Sequence, residues 1–330
     1  MPVLVTGGAG YIGSHFTKAL AATGAEIIVF DDFSTGHRWA AKWGRVIEGS
    51  LADTALLARV FRENQIESVV HFAAKIAVGE SVKLPGLYYE NNFVGALHLL
   101  EAMREANVDR LVFSSSAAVY GMPEKMPITE DAPHAPVSPY GETKHAVERM
   151  LHWFGNAHGI RSVALRYFNA AGADPEGELG EDHQPETHLI PLVLDAGLGL
   201  RPPVQLFGTD YPTPDGTAIR DYIHVSDLAA AHLKALDYLG AGGASDAFNL
   251  GTGEGHSVLE IIRVAERVLG RGVPVVEKPR REGDPPVLVA DSSKAQTVLG
   301  WKPRYSDLGT ILGTAFKWHT KRAAITPSHA

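Results

Sequence analysis

The 330-residue chain contains no cysteine, which excludes disulfides and thiolate metal sites. It also lacks any run of about 18 apolar residues, the length that a membrane-spanning helix needs. The first residues, MPVLVTGG, carry neither the basic segment nor the long apolar segment of a secretion signal. From the sequence we therefore expect a cytoplasmic protein that has no membrane partner.

The chain has no excess of basic residues, since 30 Lys and Arg stand against 38 Asp and Glu. The net charge of −8 argues against nucleic acid as a partner, because phosphate backbones are bound by basic surfaces. Hydrophobic residues make up 45% of the chain, which is ample for the core of one large α/β domain or of two smaller ones.

The first half of the chain alternates short apolar runs with helical patterns. The apolar runs are continuous, as in strands that are buried on both faces of a sheet. They lie at 2–7, 26–32, 68–74, 110–116 and 162–169, and the helical patterns lie at 14–24, 53–64, 88–108 and 140–159. This order predicts an α/β fold with a doubly wound parallel sheet of the Rossmann type, whose ligands bind at the carboxyl edge of the strands.

The second half has a different composition, with loops rich in Gly, Pro and acidic residues at 172–188 and 200–218. We expect residues 1–170 to form the main domain, which binds the nucleotide cofactor. Residues 171–330 are expected to form mainly a smaller mixed α/β cap that binds substrate over the ligand edge. A segment at about 218–250 is expected to return to the main domain.

The sequence TGGAGYIG at 6–13 lies between a predicted strand and a predicted helix. Gly7, Gly10 and Gly13 leave room for a diphosphate to approach backbone N–H groups at a helix N-terminus, where a Cβ atom would block it. In this strand–turn–helix context the glycine pattern predicts a dinucleotide site.

The predicted second strand ends in Asp31 and Asp32, and carboxylates at this point accept hydrogen bonds from the adenosine ribose hydroxyls. They would also repel a 2′-phosphate, so NAD is favoured over NADP. Arg38 lies nearby and is the residue that would weaken this preference.

The sequence SPYGETK at 138–144 sets Tyr140 and Lys144 four residues apart. Four residues make about one helical turn, so both side chains project from the same helix face. Taken alone, such a pair is typical of a helix surface. Ser116, however, ends the fourth predicted strand at the same sheet edge, so a hydroxyl, a phenol and an ammonium are expected beside the nucleotide.

Together these features resemble the extended short-chain dehydrogenase/reductase family, whose marks are the TGxxGxxG turn and a Ser…Tyr-x-x-x-Lys set. Further stretches that carry the resemblance are FSSSAAVYG, RYFNAAGA, LFGTDYPTPDGTAIRDYIHV, NLGTG and RREGD. The resemblance covers about residues 2–320 and is strongest to members that invert C4 of UDP-hexoses. It implies NAD-dependent interconversion of UDP-glucose and UDP-galactose by oxidation at C4, rotation of the 4-keto sugar and re-reduction.

The resemblance assigns roles to individual residues. Tyr140 would be the base, Lys144 would lower its pKa and bind the cofactor ribose, and Ser116 would bond to the sugar O4. The implied NAD contacts are Gly7, Gly10, Tyr11, Ile12, Gly13, Asp31, Asp32, Ser34, Thr35, Gly36, Ser50, Leu51, Phe72, Ala73, Ala74, Asn91, Ser114, Tyr140, Lys144 and Phe168. The implied UDP-sugar contacts are Ser116, Tyr140, Asn169, His188, Leu189, Gln205, Leu206, Phe207, Arg220, Arg281, Asp284 and Leu288.

Some positions depart from the family pattern. His188 stands where many members have asparagine, so its contact with the diphosphate would depend on pH. Ser50 replaces an aspartate often found near the adenine, and Ile76 stands where a cofactor-side lysine is common, with Lys75 one position earlier. Leu288 fills a position whose bulk limits N-acetyl groups, and leucine leaves the acceptance of UDP-N-acetylhexosamines open.

Specific residues also argue for or against other functions. Ala117 and Ala118 stand where dehydratases of the family carry Asp-Glu, so dehydration is not expected. The alternatives are a 4-epimerase of another UDP-sugar (UDP-N-acetylhexosamine, UDP-pentose or UDP-hexuronate) and a non-catalytic NAD(H)-binding sensor. The intact Ser-Tyr-Lys set speaks against a sensor, which has no use for a reactive phenol.

Two further expectations concern metals and assembly. His183 and His188 lie in the acidic loop HQPETH, but their spacing fits no predicted helix and suggests no third ligand. We therefore expect no bound metal. The helices predicted at 88–107 and 140–158 carry more apolar surface than one sheet covers, and the resemblance implies that they pair in a homodimer.

Overall fold

The computed structural model describes residues 2–281 and 283–325. The described strands are β1 (Pro2–Thr6), β2 (Glu26–Asp31), β3 (Arg45–Glu48), β4 (Ser68–His71), β5 (Arg110–Ser116), β6 (Arg161–Tyr167), β7 (Asn169–Ala171), β8 (Val204–Phe207), β9 (Ile219–Arg220), β10 (Tyr222–His224), β11 (Asp246–Leu250), β12 (His256–Ser257), β13 (Val275–Lys278) and β14 (Val287–Leu288).

The described helices connect these strands. They are α1 (Tyr11–Ala21), α2 (Thr54–Asn64), α3 (Val78–Lys83), α4 (Pro85–Tyr88), α5 (Gly95–Glu105), α6 (Pro139–His158), α7 (Leu189–Gly197), α8 (Val225–Gly240), α9 (Val258–Leu269), α10 (Ser293–Val298) and α11 (Leu308–Ile325). None of the described helices is long and apolar enough to cross a membrane.

Seven strands form the central sheet in the order β11-β6-β5-β4-β1-β2-β3. Every neighbouring pair in it is parallel. The predicted doubly wound parallel sheet is therefore confirmed. The sequence did not predict β3, because three of its four residues are exposed at the sheet edge and show no continuous apolar run.

Both faces of the sheet are covered by apolar helix faces. Helices α1 and α8 pack on one face, with Phe16 and Leu228 fully buried between sheet and helices. Helices α2, α5 and α6 pack on the other face, where Leu57, Leu99 and Val147 are buried. Burying each such side chain contributes about 1.5–3 kcal/mol, so the strand ends that carry polar groups are held by a rigid frame.

The helix predicted at 88–108 is interrupted by a π-helical turn at Tyr89–Val94. This turn directs Asn92 into the protein, where its Oδ1 accepts from the backbone N–H of Lys75 at 2.8 Å and its Nδ2 donates to the Lys75 carbonyl at 3.0 Å. Such turns are frequent at functional sites. Here the turn ties the loop after β4 to the helix layer.

The cap is built on the carboxyl side of the sheet from short pairings and three helices. β7 pairs with β10, β8 with β13, and β9 with both β12 and β14. Helices α7, α9 and α11 enclose a separate apolar cluster that includes Val193, Ile261 and Ile311. The segment between these parts runs back to the main sheet, since α8 packs against α1 and β11 pairs with β6.

Candidate active site

The glycine-rich turn joins β1 to α1 with little space around its backbone. Gly7 has a φ of +73°, and a Cβ on it would stand 2.5 Å from the backbone nitrogen of Ala73. A Cβ on Gly13 would collide with the carbonyl oxygen of Gly7. α1 begins at Tyr11 and Gly10 offers it no side-chain cap, so its first N–H groups are available to an anion. The turn fits a diphosphate.

Asp31 ends β2 beside this turn. Its Oδ2 accepts from the Ala9 N–H and its Oδ1 from the Phe33 N–H, both at 2.9 Å. Burial raises the pKa of Asp31, although the two N–H groups act in the opposite direction. These two bonds fix the carboxylate beside the glycine-rich turn. Asp32, by contrast, is exposed.

Arg38, which could weaken a preference for NAD, is engaged elsewhere. Its guanidinium donates to Glu48 at 2.6 Å and lies 4.3 Å from the centre of the Phe33 ring. It is thus turned toward β3 and away from the Asp31 carboxylate.

The other predicted cofactor contacts follow the strand ends of the same sheet edge. They are Ser34, Thr35 and Gly36 after β2, Ser50 and Leu51 after β3, Phe72, Ala73 and Ala74 after β4, Asn91 in the π-helical turn, Ser114 in β5 and Phe168 after β6, while Ile12 lies in α1. Parallel strands bring their carboxyl ends to one edge, which explains why residues so distant in sequence are placed along the same edge of the sheet.

The predicted catalytic residues are brought together at the centre of this edge. Ser116 is the last residue of β5, and Tyr140 and Lys144 lie in the first turns of α6, which begins at Pro139. The Ser138 hydroxyl caps that helix by accepting from the Gly141 N–H at 3.2 Å. All three catalytic candidates are at least nine-tenths buried.

Burial shifts the pKa values of this set toward the neutral forms. It raises the pKa of the Tyr140 phenol, while the Ser116 hydroxyl beside it acts in the opposite direction. It lowers the pKa of Lys144 to about 7, with Glu148 acting against that shift. The sequence predicted a Tyr140 pKa lowered by Lys144. Here the Lys144 Nζ instead donates to the Ser114 carbonyl at 2.7 Å and lies 5.9 Å from the centre of the Tyr140 ring.

The sequence did not predict a buried ion pair that joins α6 to β6. Glu148 accepts from both the Nη2 and the Nε of Arg166, at 2.6 and 2.9 Å, and from the Ser115 hydroxyl at 2.5 Å. Arg166 also donates to the Tyr120 hydroxyl at 2.8 Å. Glu148 lies four residues after Lys144 on the same helix face, and this spacing is the signal that would have revealed it.

The predicted diphosphate contacts lie in the cap and already have partners. Arg220 donates to the Asp284 carboxylate and to the Ile219 carbonyl. The guanidinium of Arg281 lies 4.0 Å from the centre of the Phe207 ring. Two of the predicted contacts therefore form one ion pair, and the other two form a stack.

The remaining substrate candidates differ in what they offer. The Asn169 amide donates to the Asp221 carbonyl at 3.0 Å. Gln205 is exposed on β8, whereas Leu206 is buried and so presents its backbone. Leu288 packs against the cluster of Val119, Tyr120 and Ile128 just beyond the catalytic serine. It lies near the reacting end of the site.

The loop at 181–188 brings together two histidines and two glutamates. The His183 Nδ1 lies 3.2 Å from Glu181, and the His188 Nδ1 lies 2.8 Å from Glu181 and 3.0 Å from Glu186. Burial lowers the histidine pKa values, but the two carboxylates outweigh it and raise them to about 9 for His183 and about 10 for His188. The ordinary pH-dependent charge predicted for His188 is therefore shifted to high pH. Leu189 follows it as the first residue of α7.

A family model described as the NAD-dependent epimerase/dehydratase family matches residues 3–251 of the chain. The UDP-glucose 4-epimerase of Halalkalibacterium halodurans is 52% identical over 319 residues, which cover 97% of this chain and 96% of that protein.

Two solved structures are similar along nearly the whole chain. The UDP-glucose 4-epimerase of Brucella ovis in complex with NAD is 50% identical with a TM-score of 0.94, and the match covers 96% of this chain and 97% of that one. The enzyme of Stenotrophomonas maltophila with bound NAD and formylated UDP-arabinopyranose is 41% identical with a TM-score of 0.95, covering 99% and 100% of the two chains.

Proposed function

The chain belongs to the NAD-dependent epimerase/dehydratase family, and from this membership and the site geometry we infer that it interconverts UDP-glucose and UDP-galactose with NAD as cofactor. The observation that carries this inference is that Ser116, at the end of β5, lies against Tyr140, with Lys144 one helical turn further on, at the same sheet edge that carries the glycine-rich turn. Inversion at C4 needs one group that takes a proton from the sugar hydroxyl and later returns it. A buried phenol with a hydroxyl neighbour has the chemistry for that.

NAD bound at the turn supplies the oxidation and re-reduction at C4. Tyr140 takes the proton of the 4-hydroxyl and gives it back, and Ser116 holds the same oxygen by a hydrogen bond. For Tyr140 to be deprotonated near pH 7 its pKa must fall by about 3 units from its usual value of about 10, which is about 4 kcal/mol. One cation at about 4 Å supplies about that much at an effective dielectric constant of about 20. The Lys144 Nζ lies 5.9 Å from the centre of the Tyr140 ring and burial lowers its pKa to about 7, so we assign it to this role in its protonated form, in which it supplies part of the shift.

The absence of an acidic pair after Ser116 favours epimerisation over dehydration. Ala117 and Ala118 continue from the catalytic serine into a short 3-10 helix. Neither side chain can donate or accept a proton, so loss of water from the sugar has no acid or base at these positions. This favours re-reduction of a 4-keto sugar over its dehydration.

The nucleotide is assigned to the cap. We propose that Arg220 and Arg281 bind the diphosphate, that Asp284 accepts from the uridine ribose, and that β8 lies along uracil. The Arg220–Asp284 pair and the Arg281–Phe207 stack support this because they hold each side chain ready at the cap surface. Asn169, Leu189 and the Nε2 of His188 complete the proposed set, and Leu189 follows His188 directly as the first residue of α7.

The choice among UDP-sugars depends on Leu288. Leu288 packs beside the 117–120 helix. The leucine side chain is smaller than an aromatic side chain and larger than that of serine or glycine. UDP-glucose and UDP-galactose are therefore the proposed substrates, and UDP-N-acetylhexosamines, UDP-pentoses and UDP-hexuronates are the competing ones. The enzyme of Stenotrophomonas maltophila holds a formylated UDP-arabinopyranose, which makes a UDP-pentose the first competitor to test.

The experiment is to incubate the purified protein with UDP-galactose, without added NAD, and to separate the products by anion-exchange chromatography. Formation of UDP-glucose is the expected result, and it excludes a non-catalytic NAD(H) sensor. Parallel incubations with UDP-xylose, UDP-glucuronate and UDP-N-acetylglucosamine rank the sugars. The proposal is wrong if UDP-galactose is the poorest substrate of the series, or if none of them reacts even with added NAD.

We also propose the assembly, domain division and location of the protein. Tyr89, in the segment predicted as a helix at 88–107, and Trp153 of α6 have exposed side chains, which supports a homodimer through the predicted helix pair at 88–107 and 140–158. The return of α8 and β11 to the main sheet supports a main domain at 1–170 joined by about 218–250, with the rest of 171–330 as cap. The lack of cysteine is consistent with a cytoplasmic location.

Light scattering at two protein concentrations tests the proposed homodimer.

A further inference from the structure

We propose that the segment 181–188 binds one divalent transition-metal ion. The ligands are Glu181, His183, Glu186 and His188. No metal was expected from the sequence, because the spacing of the two histidines fits no predicted helix and suggests no third ligand. The fold adds two carboxylates, and a set of two imidazoles and two carboxylates favours zinc.

The four groups converge on one point. One potential ligand atom from each of them lies within 4.8 Å of all the others. From the Nδ1 of His183 the distances are 3.2 Å to Glu181 and 3.5 Å to the Oε2 of Glu186. In a tetrahedral zinc site with bonds of about 2.0–2.2 Å, neighbouring ligand atoms are about 3.3–3.5 Å apart. These two distances are close to that value, whereas the His188 Nδ1 lies closer to its carboxylates, at 2.8 Å from Glu181 and 3.0 Å from Glu186, so His188 would have to move slightly outward to bind an ion.

Two buried atoms in the cluster have no hydrogen-bond partner. The Glu186 side chain is 5% exposed, and its Oε1 accepts from the N–H groups of Thr187 and His188 at 2.7 and 2.8 Å. Its Oε2 and the Nδ1 of His183 are buried and face each other at 3.5 Å, and neither makes a hydrogen bond of good geometry, although the His183 Nδ1 also lies 3.2 Å from Glu181. Buried polar atoms in folded proteins nearly always have a partner. An ion between these two atoms would satisfy both.

The charge balance of the cluster also allows a divalent ion. Two buried carboxylates carry two negative charges, and these need compensation. A divalent ion would supply two positive charges at this place.

A simple ion pair elsewhere in the chain looks different. His256 bonds to Glu260 at 3.0 Å across one turn of α9, and neither side chain holds a buried atom without a partner. One histidine and one carboxylate satisfy each other there. The 181–188 cluster holds twice as many groups in one place and leaves two atoms unsatisfied, which is the feature that distinguishes it from an ordinary pair.

The place of the cluster indicates a structural role. Trp318 donates to the Glu181 carbonyl at 3.0 Å, Arg322 pairs with Asp182 at 2.7 Å, and the His183 ring lies 6.2 Å from the ring of Tyr11. Four protein ligands leave no open coordination position for a substrate. The ion would instead pin this loop between α11 and the glycine-rich turn.

The first experiment measures the metal content of the full-length protein, purified without a histidine tag, by mass spectrometry. About one zinc per chain is expected for a closed four-ligand site. Removing it from the wild-type protein with a chelator should lower the melting temperature, and adding zinc back should restore it. Anomalous diffraction at the zinc edge should give one peak between the four side chains.

Matched variants identify the ligands. His183→Gln and Glu186→Gln should each lower zinc content at least about tenfold, whereas His256→Gln should leave it unchanged. The chelation experiment uses only wild-type protein, so it decides the question even if a ligand variant does not fold. The proposal is overturned if the purified protein carries no stoichiometric divalent metal and the metal-depleted protein does not take up added zinc. It is equally overturned if both ligand variants retain the metal.

Discussion

Two buried histidines packed at the central sheet, His71 on β4 and His232 on α8, differ in the direction of their pKa shift from the less buried His183 and His188 of the 181–188 loop. Burial lowers the pKa of His71 to about 3 and that of His232 to about 4. Each bonds to a neutral partner, His71 to the Thr6 hydroxyl at 2.6 Å and His232 to the Leu228 carbonyl at 2.8 Å. His183 and His188 share two carboxylates, which outweigh burial and raise their pKa values.

The difference shows how the molecule separates two tasks. At the sheet edge burial shifts Tyr140 and Lys144 toward their neutral forms, and Glu148 compensates Lys144 only in part because it is bound to Arg166. The pKa of a group held there shifts strongly when a charged ligand binds beside it, which is what a catalytic base requires. In the cap, charged side chains such as Arg220 and His188 already lie beside carboxylates. This arrangement suits the binding of an anionic ligand and the anchoring of a loop.

The comparison is tested most strongly at Tyr140. Tyr140→Phe keeps the ring that fills the site and removes the only atom that can exchange a proton with the sugar. We expect kcat for UDP-galactose to fall about 10²–10⁴-fold, with KM little changed, in a coupled assay for UDP-glucose. Tyr305→Phe, at a partly exposed tyrosine, is the control and should retain activity. Retention of more than a few per cent of the activity by Tyr140→Phe would mean that another group is the base.

The buried Glu148–Arg166 pair provides the next largest effect. Glu148→Gln leaves Arg166 buried without its counter-charge, which should cost about 3–5 kcal/mol of unfolding free energy, measured in urea. Glu101→Gln breaks an exposed pair with Arg104 at 2.7 Å and should cost less than about 1 kcal/mol. Equal losses in the two variants would show that the sheet interior is not the low-dielectric region that the comparison requires.

The sequence predicted the parts of this fold that arise from local pattern. Continuous apolar runs identified five strands of the main sheet, and the glycine spacing identified the dinucleotide turn. It did not predict β3, because an exposed edge strand has no continuous apolar run. It also did not predict the π-helical turn at Tyr89–Val94, because a helix with one extra residue in a turn has almost the same apolar periodicity as a regular one.

Whether the sequence predicted a site residue depended on which elements of the fold bring it to its partners. Tyr140 and Lys144 are neighbours on one helix, and their pairing with the end of β5 follows from parallel topology. The Glu181–His188 cluster depends on how a loop turns back on itself, which no periodic pattern reports. The partners that decide a charge, such as Arg166 for Glu148, lie on other elements of the fold and became visible only there.

The pH dependence of the free energy of unfolding tests whether the buried His232, on α8, is neutral in the folded protein. The folded pKa of His232 is about 4, below about 6.5 in the unfolded chain. As pH falls from 6.5 the unfolded state therefore gains a proton that the folded state does not, and stability is lost. His232→Leu should lose about 2 kcal/mol less than wild type between pH 7 and pH 5 in urea unfolding. His152→Leu, on the exposed face of α6, should not alter the slope, and an unchanged slope in His232→Leu would contradict the neutral assignment.

The smallest effect is expected in the cap, at Arg281. Arg281→Lys keeps the positive charge but loses the flat stacking on Phe207, whose ring centre lies 4.0 Å from the guanidinium. A stack of this kind contributes about 0.5–1 kcal/mol at an exposed site, so KM for UDP-galactose should rise about two- to fivefold. Because Arg281 is assigned to the diphosphate and Tyr140 to the reacting carbon, kcat should not change.

Arg280→Lys is the matched control for that variant. Its guanidinium lies 4.3 Å from the centre of the Tyr211 ring and pairs with Asp210 at 2.7 Å, so the substitution removes an equivalent stack one residue away. If both variants raise KM equally, the effect belongs to the loop as a whole. If Arg281→Lys lowers kcat at constant KM, the cap takes part in the chemical step, and the separation between a reactive sheet edge and a gripping cap does not hold.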